Sequence, residues 1–85
     1  MNTFTLKEIK EKLIEQISLT IGEEPSEIDP GMPMHELGMD SLGLVELFVF
    51  IEKQFNIKLM ESGISQEDIM QIDTLAKSID KIINR

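Results

Sequence analysis

The side chains with the greatest chemical potential lie in one short segment, residues 35–42, which holds a histidine, an aspartate and a serine. His35, Asp40 and Ser41 are the residue types of a hydrolytic triad, which is defined by geometry and not by order in the chain. However, Asp40 and Ser41 are adjacent, and no Gly-x-Ser-x-Gly turn surrounds the serine. A chain of 85 residues also leaves little interior for a substrate cleft. We therefore expect a protein that is not an enzyme, in which His35 makes local hydrogen bonds in a loop.

The composition excludes several other kinds of site. The chain has no cysteine and one histidine, which excludes disulfides, thiolate zinc sites and histidine-rich metal sites, and we expect no bound metal. No apolar run approaches the roughly 20 residues that span a bilayer. Residues 1–10 lack the apolar core of a signal peptide. We therefore predict one domain, residues 1–85, that is a cytoplasmic monomer without a membrane span.

The formal charge of −8 is concentrated in the middle of the chain. Residues 1–20 balance, residues 62–85 carry −1, and residues 21–61 carry −7. Clustered carboxylates disfavour nucleic acid, whose phosphates require basic patches. They favour basic protein partners, mainly by steering their approach. A solvated acidic surface that keeps the protein soluble explains the charge equally well.

The first helix and the loop after it have clear sequence signals. Thr5 and Glu8 form a capping box, and Phe4 and Ile9 fit a hydrophobic staple. Apolar residues then recur at helical spacing until the helix ends near residues 20–22. Residues 22–40 hold three prolines and three glycines, which predicts a long loop without regular structure. We expect four apolar side chains to fix this loop to the core: Ile28, Met32, Met34 and Leu37.

Further helices follow the loop. The second is expected to start at Asp40 or Ser41 and to end near Phe55, and residues 56–63 read as a connector. Ser65 begins a short helix whose variant capping box closes at Asp68, with Ile64 and Ile69 as a staple. The last helix is expected to be capped by Asp73 or Thr74 and to present Leu75, Ile79 and Ile82 on one face. The sequence therefore predicts an all-α fold: three main helices plus a short one, packed as a four-helix bundle, with a long loop between the first and second.

The second helix carries apolar residues on two sides. At about 100° per residue, one stripe forms a core face that includes Leu44, Leu47, Phe48, Ile51 and Phe55. Leu42 and Val49 fall on the opposite side beside Glu46 and Lys53, with Val45 flanking them. A helix that is apolar nearly all round can simply be a buried central helix. An exposed apolar stripe edged with charge is instead typical of an interaction surface.

Residues 37–55, LGMDSLGLVELFVFIEKQF, resemble the phosphopantetheine attachment segment of acyl and peptidyl carrier proteins. The shared features are the Gly-x-Asp-Ser-Leu core and the Val-Glu-Leu that follows it at 45–47. Phe55 and the pair Asp73-Thr74 also fit the family, so that the resemblance extends over residues 6–83. Asp-Ser-Leu alone is a weak signal, but the preceding loop, the following helix and the domain size agree with it.

The resemblance implies a carrier role. Ser41 would receive 4′-phosphopantetheine from coenzyme A through a phosphopantetheinyl transferase, and acyl groups would be carried on the arm as thioesters. Asp40 would help to position the transfer reaction or its magnesium ion, or would share in capping the helix. Synthases and acyl-transferring enzymes with basic docking patches would contact a partner-binding face: Leu42, Val45, Glu46, Val49 and Glu52.

Three departures from the family pattern, together with two bulky side chains, leave the pathway open. Gly43 stands where many fatty-acid carriers have an acidic residue, and Lys53 and Gln54 interrupt an acidic run. The connector 56–73 is longer than in compact fatty-acid carriers, and Phe48 and Phe50 leave less room for a long acyl chain. Fatty-acid, polyketide, peptidyl and D-alanyl-type carriers therefore remain alternatives. So does an unmodified acidic adaptor in which Ser41 only caps a helix.

Overall fold

Three long helices form the body of the structure, a computed structural model in which residues 4–84 are described. They are α1 (Leu6–Ile21), α2 (Ser41–Phe55) and α5 (Ile72–Ile83), and two single-turn helices, α3 (Leu59–Ser62) and α4 (Gln66–Ile69), lie between α2 and α5. The all-α prediction is confirmed, but the predicted connector 56–63 contains the extra turn α3. Within residues 4–84, no helix is long and apolar enough to cross a membrane.

Helix α1 begins and ends as its sequence predicts. The Thr5 hydroxyl accepts from the Glu8 N–H at 3.1 Å, and the Glu8 carboxylate accepts from the Thr5 N–H at 2.9 Å. Gly22 ends the helix in the left-handed conformation at φ 75°, which glycine adopts without steric cost. The face between these ends is fully buried at Ile9, Leu13 and Ile17.

Packing of α1 against α2 and α5 places Ser41 at one end of the molecule. At the opposite end, the Phe4 and Phe55 rings meet edge to face with centroids 5.1 Å apart. The Asn84 side chain donates to the Phe4 carbonyl there at 2.7 Å. Because Phe4 precedes α1 and Phe55 ends α2, the two helices run in opposite directions.

The long loop 22–40 contains two short 3₁₀ turns, Pro25–Glu27 and Met34–Leu37. Ile28 and Met34 are buried and Leu37 is partly buried against the core, as predicted. The prediction for Met32 is wrong, because this side chain lies in a turn and is 36% exposed. Met39 is buried in its place, directly before the start of α2.

The predicted caps of the last two helices are only partly correct. The Ser65 hydroxyl caps α4 by accepting from the Asp68 N–H, but the Asp68 carboxylate accepts from the Ser78 hydroxyl of α5. Helix α5 starts after Gln71 with no side-chain cap, so the prediction that Asp73 or Thr74 caps it is wrong. Its buried face comprises Ile72, Leu75, Ala76 and Ile79, whereas Ile82 is only partly buried.

Candidate functional site

Ser41 is the first residue of α2, and its side chain is exposed. The cap of this helix is Asp40, whose carboxylate accepts from the Gly43 N–H at 2.7 Å. Within residues 4–84, the Ser41 hydroxyl has no hydrogen-bond partner. The capping role that the sequence leaves open for Ser41 is therefore filled by Asp40. The serine hydroxyl stands at a helix N-terminus, where the backbone dipole favours an attached anion.

Gly43 explains one departure from the family pattern. A Cβ at this position would lie 3.1 Å from Thr20 Cγ2, 3.3 Å from Asp40 Oδ1 and 3.4 Å from Met39 Sδ. The glycine is thus buried beside the end of α1, two residues after Ser41. An acidic side chain here would enter this contact and place its charge beside the carboxylate of Asp40. The missing acidic residue therefore reflects helix packing and not a change on the exposed surface.

The loop that leads to Ser41 is held by the junction between α4 and α5. The Met34 N–H donates to the Met70 carbonyl at 2.7 Å, and the Asp73 N–H donates to the Pro30 carbonyl at 3.0 Å. The Asp73 carboxylate also contacts the Lys10 ammonium of α1 at 2.8 Å. Asp73 therefore connects α1, α5 and the loop, which is the role that it has in place of capping α5.

Four of the five predicted partner-binding residues share one exposed surface of α2. Leu42, Val45 and Val49 are 68%, 56% and 45% exposed, and Glu46 is exposed among them. These fractions exclude the alternative that the second apolar stripe is buried. The four residues, which begin one position after Ser41, are called the α2 outer face below.

Glu52, the fifth predicted residue, is placed differently. Its side chain is half-buried, and its carboxylate accepts from the Leu59 N–H of α3 at 3.2 Å. Glu52 therefore stands at the border between the α2 outer face and the segment that follows α2. No sequence signal indicated this contact, because the two residues are seven positions apart and α3 itself was not predicted.

A cleft that the sequence does not predict lies beside this contact. It has a volume of about 790 Å³ and lies between α2 and the α3–α4 segment. Leu44 and Phe48, predicted as core residues, are only partly buried and line its α2 side. The other apolar lining residues come from α3, α4 and the residues next to them: Leu59, Met60, Ile64, Ile69 and Met70. A helical wheel cannot separate such residues from the core, because both point toward the interior.

The net negative charge comes from residues 13–50, the part of the chain that includes Ser41. Residues 13–50 contain eight carboxylates and no Lys or Arg, whereas the remaining residues contain eight of each sign. The Thr20 methyl lies 3.1 Å from where a Cβ of Gly43 would be, so the end of α1 and the start of α2 are close together within the acidic part. All seven lysines lie at residues 7–12, 53–58 and 77–81, and the Lys12 ammonium lies 5.3 Å from the Phe4 ring centroid at the far end.

Comparisons with known proteins agree on the family. Residues 2–85 match the model described as the C-terminal ACP domain of the highly reducing polyketide synthase sdgA. An acyl carrier protein of Cyanidioschyzon merolae is 32% identical over 80 residues, which covers 93% of this chain and 82% of that protein. An acyl carrier protein of Chlorobium phaeobacteroides is 33% identical over 82 residues, which covers 95% of this chain and 99% of that protein. The chain belongs to the acyl carrier protein family, and its role is that of an acyl carrier in fatty-acid or polyketide biosynthesis.

Proposed function

We propose that this chain is a single carrier domain that bears 4′-phosphopantetheine on Ser41. The observation that carries the proposal is the exposed Ser41 hydroxyl, which has no hydrogen-bond partner within residues 4–84 because Asp40 supplies the cap. A phosphodiester on this oxygen would lie at the N-terminus of α2, which favours negative charge. The arm supplies a thiol, absent from a chain without cysteine, on which acyl groups are held as thioesters.

Asp40 and Gly43 are proposed to prepare the site for transfer. Asp40 fixes the first turn of α2 through Gly43, so that Ser41 is presented in one backbone conformation. In this role Asp40 positions Ser41 for attachment and takes no part in the transfer reaction itself. Coordination of the transferase's magnesium by Asp40 remains the second proposed role for this carboxylate.

We infer that synthases, acyltransferases and the phosphopantetheinyl transferase dock on the α2 outer face. The apolar residues of this face give contact area next to Ser41, and Glu46 gives it negative charge. The eight unbalanced carboxylates of residues 13–50 favour a basic partner surface. Because the rest of the chain carries equal numbers of each sign, the net field comes from the segment that includes Ser41 and favours approach of a basic partner to it.

The cleft beside α2 favours an apolar acyl group as the cargo. The cleft beside α2 falls in the range of small-ligand pockets, about 300–1,000 Å³, and its walls are largely apolar. Both Phe48 and Phe50 pack against the core, but Phe48 is the one of the two that lines the cleft and limits the space for an acyl chain. On this ground we propose an acyl carrier over a peptidyl or D-alanyl-type carrier. We also propose that it acts in the cytoplasm, where its biosynthetic partners and coenzyme A would be met.

Intact-protein mass spectrometry tests the attachment. The full chain is incubated with coenzyme A and a broad-specificity phosphopantetheinyl transferase, and we expect one phosphopantetheinyl group per chain. Ser41→Ala should gain none, and Ser65→Ala is the matched control because Ser65 also stands at a helix start but caps it. Wild-type protein that stays unmodified would favour the acidic adaptor, and modification of Ser41→Ala would refute the assignment of the site.

A further inference from the structure

The readily oxidised side chains of this chain are its methionines. The sequence has six methionines and no cysteine, tryptophan or tyrosine. A methionine thioether takes up one oxygen atom to become a sulfoxide, which changes a flexible apolar side chain into a polar one. The oxidant must reach the sulfur, so the position of each methionine in the fold decides whether it reacts.

The methionines within residues 4–84 differ widely in exposure. Met34 and Met39 are buried in the core. Met60 is 95% exposed, and Met70 and Met32 are exposed to similar extents, 39% and 36%. The buried pair is therefore protected from an oxidant in water, whereas the other three are accessible to it.

Two of the three accessible methionines line the cleft beside α2. Met60 comes from α3 and Met70 follows α4, so two separate elements each supply a thioether to the lining. Met32 lies in the loop 22–40, outside the cleft. Met70 is fixed in place, because its backbone carbonyl accepts from the Met34 N–H at 2.7 Å. Met60 is both exposed and part of the lining, so an apolar chain that enters the cleft would cover its side chain.

The remainder of the cleft lining offers a sulfoxide few hydrogen-bond donors. The polar side chains of the lining are Glu52, Gln66 and Glu67. An ionised carboxylate accepts hydrogen bonds and donates none, so Gln66 is the side chain of these three that can donate to a sulfoxide oxygen. Covering a polar group without a hydrogen bond is unfavourable. Oxidation at the cleft would therefore oppose the entry of an apolar chain.

We propose that Met60 and Met70 are oxidation sites that make the affinity of the cleft for an apolar chain sensitive to peroxide. The sulfur lone pair attacks one oxygen of hydrogen peroxide, the O–O bond breaks, a sulfur–oxygen bond forms, and the second oxygen leaves as water. The sulfur loses two electrons and the peroxide gains them. Methionine sulfoxide reductases reverse the change. The consequence for an acyl group rests on the proposed carrier function, but the oxidation belongs to the unmodified chain and is measured there.

Peptide mapping of the full, unmodified chain after treatment with hydrogen peroxide tests the sites. We expect Met60 to be oxidised first, and Met32 and Met70 to follow at similar rates. Met34 and Met39 should react at least about tenfold more slowly than Met60, because they are buried. Oxidation of Met34 or Met39 as fast as that of Met60 would overturn the assignment of the sites.

Binding of octanol, a neutral apolar probe, tests the effect of oxidation on the cleft. In NMR spectra the Ile64 methyl groups report the cleft, and the Ile17 methyl groups report the core. Peroxide treatment of the wild type should weaken octanol binding about fivefold, because a polar group must be covered. The weakening should persist in Met32→Leu, the matched control. It should be absent from the double variant with Met60→Leu and Met70→Leu, since leucine has a similar volume and no sulfur.

The octanol experiment can overturn the proposal in three ways. Octanol that leaves the Ile64 methyl groups unshifted in untreated protein would show that the cleft does not bind an apolar chain. Equal weakening in the double variant would assign the effect to other residues. Peroxide that shifts Ile17 as strongly as Ile64 would show general unfolding. Recovery of binding after treatment with methionine sulfoxide reductases would support the proposal. Failure of the mass experiment on Ser41 would refute the carrier assignment and leave these results unaffected.

Discussion

Helices α1 and α2 are antiparallel neighbours of similar length, but they use their starts and outer surfaces differently. At the start of α1, Thr5 and Glu8 satisfy each other in a complete capping box. At the start of α2, Asp40 alone makes the cap and Ser41 remains exposed. The exposed surface of α1 is mostly charged, whereas that of α2 is apolar at Leu42, Val45 and Val49. The comparison indicates that α1 serves the fold and that α2 also holds groups that the fold does not require.

The largest expected effects concern the buried faces, which the two helices have in common. Leu13→Ala in α1 and Ile51→Ala in α2 should each lower the free energy of unfolding by about 2–5 kcal/mol, because each leaves a cavity in the core. Val49→Ala should lower it by no more than about 0.5 kcal/mol, because Val49 is exposed. Urea denaturation of the three variants measures these differences. Equal losses for Val49→Ala and Ile51→Ala would show that the α2 outer face stabilises the fold.

Sequence periodicity predicts the long helices well, because their buried positions repeat along each chain segment. The α1 residues Ile9, Leu13 and Ile17 are buried where the pattern predicts them. The loop offers no such repeat, and there the prediction that Met32 is fixed to the core is wrong, whereas the burial of Met39 was not predicted. Met39 is buried in the core with its sulfur beside Gly43 of α2, a contact that depends on the packed helix and not on the loop sequence.

The candidate site, like the fold, is predictable where its signals are local in sequence. Ser41 and the α2 outer face follow from a motif and a helical pattern that are local in sequence. The positions of Asp73 and Glu52 do not, because each makes a contact outside its own helix: Asp73 with Lys10, and Glu52 with Leu59. A polar side chain near a helix start or end can bond to a backbone group of its own helix or to a group of another segment. Sequence alone does not distinguish the two.

The helix starts should show smaller effects than the core. Thr5→Ala and Asp40→Ala should each cost about 1 kcal/mol, because each removes a side-chain cap. Ser41→Ala should change the free energy of unfolding by less than about 0.5 kcal/mol, because its hydroxyl makes no hydrogen bond within residues 4–84. Thermal unfolding of the three variants checks the order. A cost for Ser41→Ala as large as that for Asp40→Ala would contradict the assignment of the cap.

The exposed surfaces of α1 and α2 should differ in how much their charges affect association with the transferase. Glu46→Gln should slow phosphopantetheinyl transfer roughly twofold at low salt, because one steering charge beside Ser41 is lost. Glu11→Gln, an exposed glutamate of α1, should leave the rate unchanged. Added salt should slow the wild-type reaction and reduce the difference between the variants. A wild-type rate that does not change with salt, together with no effect of Glu46→Gln, would assign recognition to Leu42, Val45 and Val49 alone.

The smallest expected effect is a dependence of the free energy of unfolding on pH, caused by Glu8 at the start of α1. Helix α2 cannot show the same effect, since Gly43 occupies the position in α2 that Glu8 has in α1. The hydrogen bond from the Thr5 backbone N–H, followed by the one with the Thr5 side chain, lowers the pKa of Glu8 below its usual value of 4.5. A lowered folded-state pKa means that the folded protein binds the proton less readily than the unfolded chain does. The stabilisation is therefore present above about pH 4.5 and is lost as the pH falls through the lowered pKa. Thermal unfolding of the wild type and of Glu8→Gln, from neutral pH to below pH 4.5, measures this stabilisation. The difference between their midpoints should be constant near neutral pH and should shrink in acid, and a difference that stays constant into acid would show that the Glu8 charge contributes nothing to the cap.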